Sequence, residues 1–198
     1  MKILKIDEGQ WAQGLAKAAE SYKLIGPQKE KSYHSFRPLG AGVLPDFDFL
    51  NTRLSPKSLV YPQSEVIMEY SLDESDDDHH VMKEAQKDYS PRAVLGIRPC
   101  DAKAFVLVRQ NFDTTDYKDP YWLKAYESTP LVGLACDTPC STCFCTTAGC
   151  GPHHEEGLDV LLVKNDDHFL AKVLTDKGEA LIQAAGWDTT AESDAETR

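Results

Sequence analysis

The stretch AVLGIRPCD (residues 93–101), running on into AKAFVLVRQNF (102–112), decides the fold. Ala93 to Ile97 is a nearly unbroken apolar run, the mark of a strand buried on both faces, as in a parallel sheet. Arg98-Pro99 ends it. Ala102 to Phe112 is rich in helix formers, with Ala104, Phe105, Leu107 and Val108 apolar, so the unit reads strand, tight turn, helix. A second run, LVGLA (131–135), ends at Cys136 and opens into a cysteine-rich loop. Two such runs predict an α/β fold: a mixed sheet with a parallel portion, flanking helices, and the cysteine loop at the carboxyl rim.

Upstream, Lys2 to Ile6 has strand character. Asp7 can cap a helix whose apolar positions Trp11, Leu15, Ala16 and Ala19 recur at helical spacing, ending near Tyr22. Residues 23–37 place the turn pair Gly26-Pro27 between two short alternating segments and predict a hairpin. Pro38, Gly40, Gly42 and Pro45 mark a loop. Ser55-Pro56 is a helix start cut short by Pro62. Glu65 to Tyr70 reads as a strand. Downstream, Asp159–Val163 and Phe169–Leu174 are strands around an Asn-Asp-Asp turn, and Thr175 or Asp176 caps a last helix through about Ala185. The expected organisation is one domain over residues 1–187, interrupted by an acidic loop at 72–88. Residues 188–198 are small, polar and acidic, a tail or truncated linker.

The 198 residues suffice for one substantial core and not for two ordinary domains. Lys and Arg number 21 against 32 Asp and Glu, a formal net charge of −11. That balance disfavours nucleic acid, whose binders cluster cations to displace counterions from phosphates. No apolar run approaches the roughly 20 residues of a bilayer span. The N-terminus reaches Asp7 and Glu8 too soon for a secretory signal, so the expected compartment is the cytoplasm. Asp73 to Asp78 holds five carboxylates in six residues, followed by His79 and His80. Like charges repel, and the run lacks the glycine turn and terminal Glu of a calcium loop, so it reads as a solvated segment.

Five of the six cysteines, Cys136, Cys140, Cys143, Cys145 and Cys150, lie within fifteen residues, and the sixth is Cys100. Disulfides confined to so short a segment close hardly any loop, whereas clustered thiols in a cytosolic chain read as metal ligands or redox chemistry. Cys100 and Cys136 each follow an apolar run by one to three residues, so neighbouring strands would bring both to one rim. Cys140-Ser-Thr-Cys143 has the two-residue gap that lets both sulfurs face one metal or cluster, and Cys145 adds a third thiolate. Zinc fits the dense spacing less well, since a ribbon separates its two knuckles by a dozen or more residues. A thioredoxin-type dithiol at Cys140 and Cys143 is a further alternative, against which stand the extra cysteines on both sides. Buried thiols acting as small hydrophobes remain an alternative, above all for Cys136. His153 and His154, in a polar HHEE segment, read as a hydrated loop edge. Arg98 either offsets the charge of a thiolate-rich site or pairs with Asp101. No nucleophile with a positioned base and no nucleotide-binding glycine motif is visible.

The blocks NTRLSPK (51–57), YPQSE (61–65), GIRPCDAKA (96–104), DPYW (119–122), LVGLACDTPCSTCFCT (131–146), GPH (151–153) and GLDVLL (157–162) resemble the N-terminal domain of an iron–sulfur subunit family. That family comprises the beta subunits of cytoplasmic sulfhydrogenases and the A subunit of anaerobic sulfite reductase. The resemblance runs from about residue 20 to 182. It implies a [4Fe-4S] cluster and electron transfer between a flavin-bearing, nicotinamide-linked subunit and a catalytic subunit. It carries over Cys100, Cys140, Cys143 and Cys145 as ligands, with Cys136 as an alternate and Cys150 outside the set. Members continue into a ferredoxin-like region with two C-x2-C-x2-C-x3-C-P sets, which this sequence lacks, so the expectation is a truncated or split subunit or a stand-alone module. The alternative from another class is a non-catalytic docking module whose thiols hold zinc or no metal.

Overall fold

The computed structural model describes residues 2–187; the expected tail at 188–198 lies outside the described residues. Nine strands and four helices follow in order: β1 (Lys2–Asp7), α1 (Glu8–Ala18), β2 (Lys23–Lys29), β3 (His34–Pro38), β4 (Met68–Glu69), β5 (Lys83–Glu84), β6 (Arg92–Ile97), α2 (Pro99–Arg109), α3 (Pro120–Glu127), β7 (Leu131–Leu134), β8 (Val160–Lys164), β9 (His168–Val173) and α4 (Asp176–Ala185), with a 3-10 turn at Pro56–Leu59. Seven strands form one sheet in the order β1-β9-β8-β7-β6-β2-β3. Its centre is parallel, β2 with β6, β6 with β7 and β7 with β8, while the hairpins β2-β3 and β8-β9 and the pair β1-β9 are antiparallel. The sheet is mixed with a parallel portion and carries a hairpin towards each side, as the apolar runs predict.

Helices cover both faces. Trp11, Leu15 and Ala18 of α1 and Leu181, Ile182 and Ala185 of α4 pack with Leu95, Val132, Val160 and Leu162 on one side of the sheet. Ala102 and Phe105 of α2 and Trp122 of α3 pack with Val94, Ile97, Leu131 and Leu161 on the other. Caps hold the helix starts. Asp7 N–H donates to Gln10 Oε1 at 3.1 Å, and the Thr175 hydroxyl accepts from Gly178 N–H. On α1 the buried residue of the last turn is Ala18, whereas Ala16 and Ala19 face solvent and the helix stops four residues before Tyr22.

Two local expectations need correction, and one helix was not foreseen. Gly26 and Pro27 lie inside β2, which runs straight through them because Pro27 pairs with Phe36 on the outer side; the hairpin turns at 30–33, where Glu30 N–H donates to the Tyr33 carbonyl at 2.8 Å. The strand expected over Glu65 to Tyr70 shrinks to Met68–Glu69, paired only with Lys83–Glu84 in a separate two-stranded hairpin. The carboxylate run forms the tip of that hairpin, exposed from Leu72 to Glu84 as a solvated segment should be. Helix α3 had no counterpart in the pattern reading, although its start is written in Asp119-Pro120: the Asp119 side chain accepts from the Tyr121 and Trp122 amides, both at 2.9 Å.

Gly96 sets the geometry of the rim. Leu95 stands opposite Val132 and Ile97 opposite Gly133, so Gly96 is an extra residue, a bulge, with φ of +80°. Without it the two-residue period would put Ile97 on the same face as Ala93 and Leu95. The bulge sends Ile97 to the α2 and α3 face and turns Arg98 to the opposite one, where Phe47 and Phe49 lie.

Candidate functional site

Adjacent parallel strands β6 and β7 end at the same carboxyl edge, and the chain leaves each into a cysteine-bearing segment. Cys100 is the second residue of α2, directly past β6; Cys136 lies two residues past β7, its amide tied to the Pro152 carbonyl at 3.0 Å. The loop 137–152 is built of short turns: Cys143 N–H bonds the Cys140 carbonyl at 3.1 Å, and Cys150 N–H bonds the Cys145 carbonyl at 2.9 Å. All six cysteines are free.

Within the loop two sulfurs meet. Cys140 Sγ and Cys143 Sγ are 3.2 Å apart, the Cys140 amide donates to Cys143 Sγ at 3.2 Å, and the Thr142 hydroxyl lies 3.3 Å from Cys140 Sγ. Hydrogen bonds from Thr142 first, and from Cys143, favour the charged form of Cys140 and hold its thiol down to about 7. Cys143, whose partner takes the negative charge, is pushed up. Around the pair the other thiols take separate positions. Cys136 Sγ is 3.7 Å from the Thr138 carbonyl and Cys150 Sγ 3.8 Å from the Gly151 carbonyl. Cys100 sits at a helix N-terminus, which by itself favours a thiolate. Desolvation at the rim, with Asp101 beside it, outweighs that and raises the thiol to about 11. Cys150 is buried, raised by desolvation, and packs as a small hydrophobe. Among the described residues, no three Cys, His, Asp or Glu side chains stand close enough together to hold a metal ion. The sequence therefore brings the thiols to one rim, and only Cys140 and Cys143 into contact.

Arg98 holds the rim together. Its guanidinium donates to the Ala135 carbonyl at 2.9 Å and to the Phe49 carbonyl, and lies 4.5 Å from the centre of the Phe49 ring. Desolvation lowers its pKa while the nearby Cys136, Asp137, Cys100 and Cys143 oppose that, which places the cation in the field of the thiols. The alternative pairing with Asp101 is not made; Asp101 faces Lys57 at 3.7 Å. His154 is engaged by Glu156 at 3.2 Å, and Glu156 also by Lys103, so the histidine belongs to a polar loop edge, as read from HHEE. A crevice of about 280 Å³ opens beside the loop, lined by Phe47, Phe49, Arg98, Asp137 and Lys164 among others. Pattern reading missed Gly96, Phe49 and Thr142. The glycine interrupting an apolar run was the one available signal.

Cysteine thiolates are the ligands of iron–sulfur centres, and half-buried Arg98 lies in the field of these thiols, but among the described residues the thiols are not drawn together around one point. No helix among the described residues is long and apolar enough to cross a membrane. Compared with protein-family models, characterised proteins and solved structures, the chain finds no match in any of the three.

Proposed function

We infer that the chain is a cytoplasmic iron–sulfur electron-transfer subunit, relaying electrons through one [4Fe-4S] cluster. Its partners would be a flavin- or nicotinamide-linked subunit and a catalytic subunit of an anaerobic oxidoreductase of the hydrogenase or sulfite reductase type. The observation that carries this reading is the gathering of thiols past β6 and β7, at the edge where open α/β sheets place their ligands. The GIRPCD and CSTCFC blocks and their resemblance to iron–sulfur subunits support it. Anaerobic purification followed by iron and acid-labile sulfide analysis tests it: equal amounts of both and a brown protein are expected, with an electron paramagnetic resonance signal on reduction. A colourless protein carrying stoichiometric zinc would overturn it.

One observation favours a second reading, a docking module whose thiols hold zinc or nothing: among the described residues no three donor side chains come close enough together to hold a metal ion. The same metal and sulfide analysis separates the two.

A further inference from the structure

We propose that Cys140 and Cys143 act as a reversible dithiol–disulfide pair, exchanging electrons with low-molecular-weight disulfides whenever the chain carries no cluster. The two sulfurs stand 3.2 Å apart, in contact and short of a bond. Both lie on an open loop, Cys143 exposed and Cys140 half-buried, so a small disulfide reaches them from solvent. Spacing alone argued against such a pair, because flanking cysteines would scramble it. The geometry removes that objection. No third thiol joins the two, Cys136 is turned to the Thr138 carbonyl, and Cys150 is buried against the Gly151 carbonyl. The i to i+3 bond from Cys143 N–H to the Cys140 carbonyl closes the turn that holds the sulfurs on one side.

The exchange balances with a disulfide R–S–S–R as oxidant. The Cys140 thiolate attacks one of its sulfurs, an S–S bond forms to Cys140, and RS⁻ leaves and takes a proton. Cys143 then attacks Cys140 Sγ and expels the second RS⁻, which takes the other proton. Two electrons and two protons pass from the two thiols to the disulfide, yielding two RSH. The consequence for the cluster rests on the function proposed above: once joined to each other, Cys140 and Cys143 are lost as ligands, so the oxidised chain cannot take up iron and sulfide.

The test equilibrates the reduced, metal-free chain anaerobically over a series of oxidised-to-reduced glutathione ratios, followed by alkylation and peptide mapping. The expected product is an intramolecular Cys140–Cys143 disulfide that protects those two residues and leaves Cys100, Cys136, Cys145 and Cys150 alkylated. Cys140→Ser and Cys143→Ser should each stop at a glutathione adduct on the remaining thiol. Accumulation of any other disulfide, or of stable glutathione adducts on the unaltered chain, would overturn the pairing. Iron and sulfide uptake is then measured on both redox forms, with at least a tenfold deficit expected in the oxidised one. A reduced chain that loads no iron defeats the cluster reading and leaves the disulfide standing. A reduced chain that loads iron but never forms the disulfide defeats the pair alone.

Discussion

At Gly96 an ordinary side chain meets two obstacles. The backbone stands at φ +80°, where an L-residue is strained by about 1–2 kcal/mol. A Cβ there would also lie 2.5 Å from the Phe47 ring. Gly96→Ala should therefore cost about 2–4 kcal/mol in chemical denaturation, strain plus overpacking. The cost of Gly96→Ala measured in a Phe47→Ala background should fall to the strain alone; an undiminished cost would show that Phe47 is not the obstacle. The same residue shows why the site was only half legible. That thiols gather past two strands follows from where the apolar runs stop. That Arg98 turns to Phe49 instead of Asp101 follows from a bulge, and a bulge is visible only once the Leu95 and Ile97 partners on β7 are known.

Among the elements, those marked by an unbroken apolar run or a regular apolar period were readable: β1, β6, β7, the β8-β9 hairpin and α4 all stand where the pattern put them, within a residue or two at their ends, while α2 begins and ends three residues before the expected Ala102 to Phe112 because Pro99 serves as its first residue. The failures have a common physical origin. β2 runs through Gly26-Pro27 because a proline is harmless wherever its missing N–H faces away from a neighbour, and that depends on tertiary pairing, not on the dipeptide. β4 and β5 pair with nothing but each other, so no core fixes their length. Their tip carries Asp73, Glu74, Asp76, Asp77 and Asp78, all exposed, and its contacts are local: Ser75 N–H and hydroxyl donate to Asp73 at 2.9 and 2.7 Å, and Lys83 pairs with Asp78 at 2.9 Å. Exposed pairs of that kind contribute little. Replacing Asp73 to Asp78 by Gly and Ser should shift the denaturation midpoint by less than about 0.5 kcal/mol equivalent and leave iron content unchanged. Insoluble protein or lost iron would show that the run is part of the structure and not a solvated tip.

Across the whole molecule, the sheet belongs to two cores at once. β6 gives Leu95 to the α1 and α4 side and Val94 and Ile97 to the α2 and α3 side; β7 gives Val132 to the first and Leu131 to the second. Neither layer can come away without exposing strands the other needs. The chain also closes on itself: β1 pairs along its length with β9, and Trp11 stacks on Trp187 with ring centres 4.9 Å apart, while Trp187 Nε1–H donates to the Gln10 carbonyl at 2.9 Å. Unfolding should then be a single cooperative transition. The three tryptophans allow a direct check, since Trp11 and Trp187 lie in one core and Trp122, stacked on Phe112 and Tyr126, in the other. In a Trp122→Phe protein, fluorescence reports the α1 and α4 side; in a Trp11→Phe, Trp187→Phe protein it reports the α3 side. Within each variant the fluorescence and far-UV circular dichroism midpoints in urea should coincide, even where the substitution lowers both. A fluorescence transition that precedes the loss of secondary structure in either variant would mean that one helical layer detaches alone, and that the shared strands do not couple the two cores.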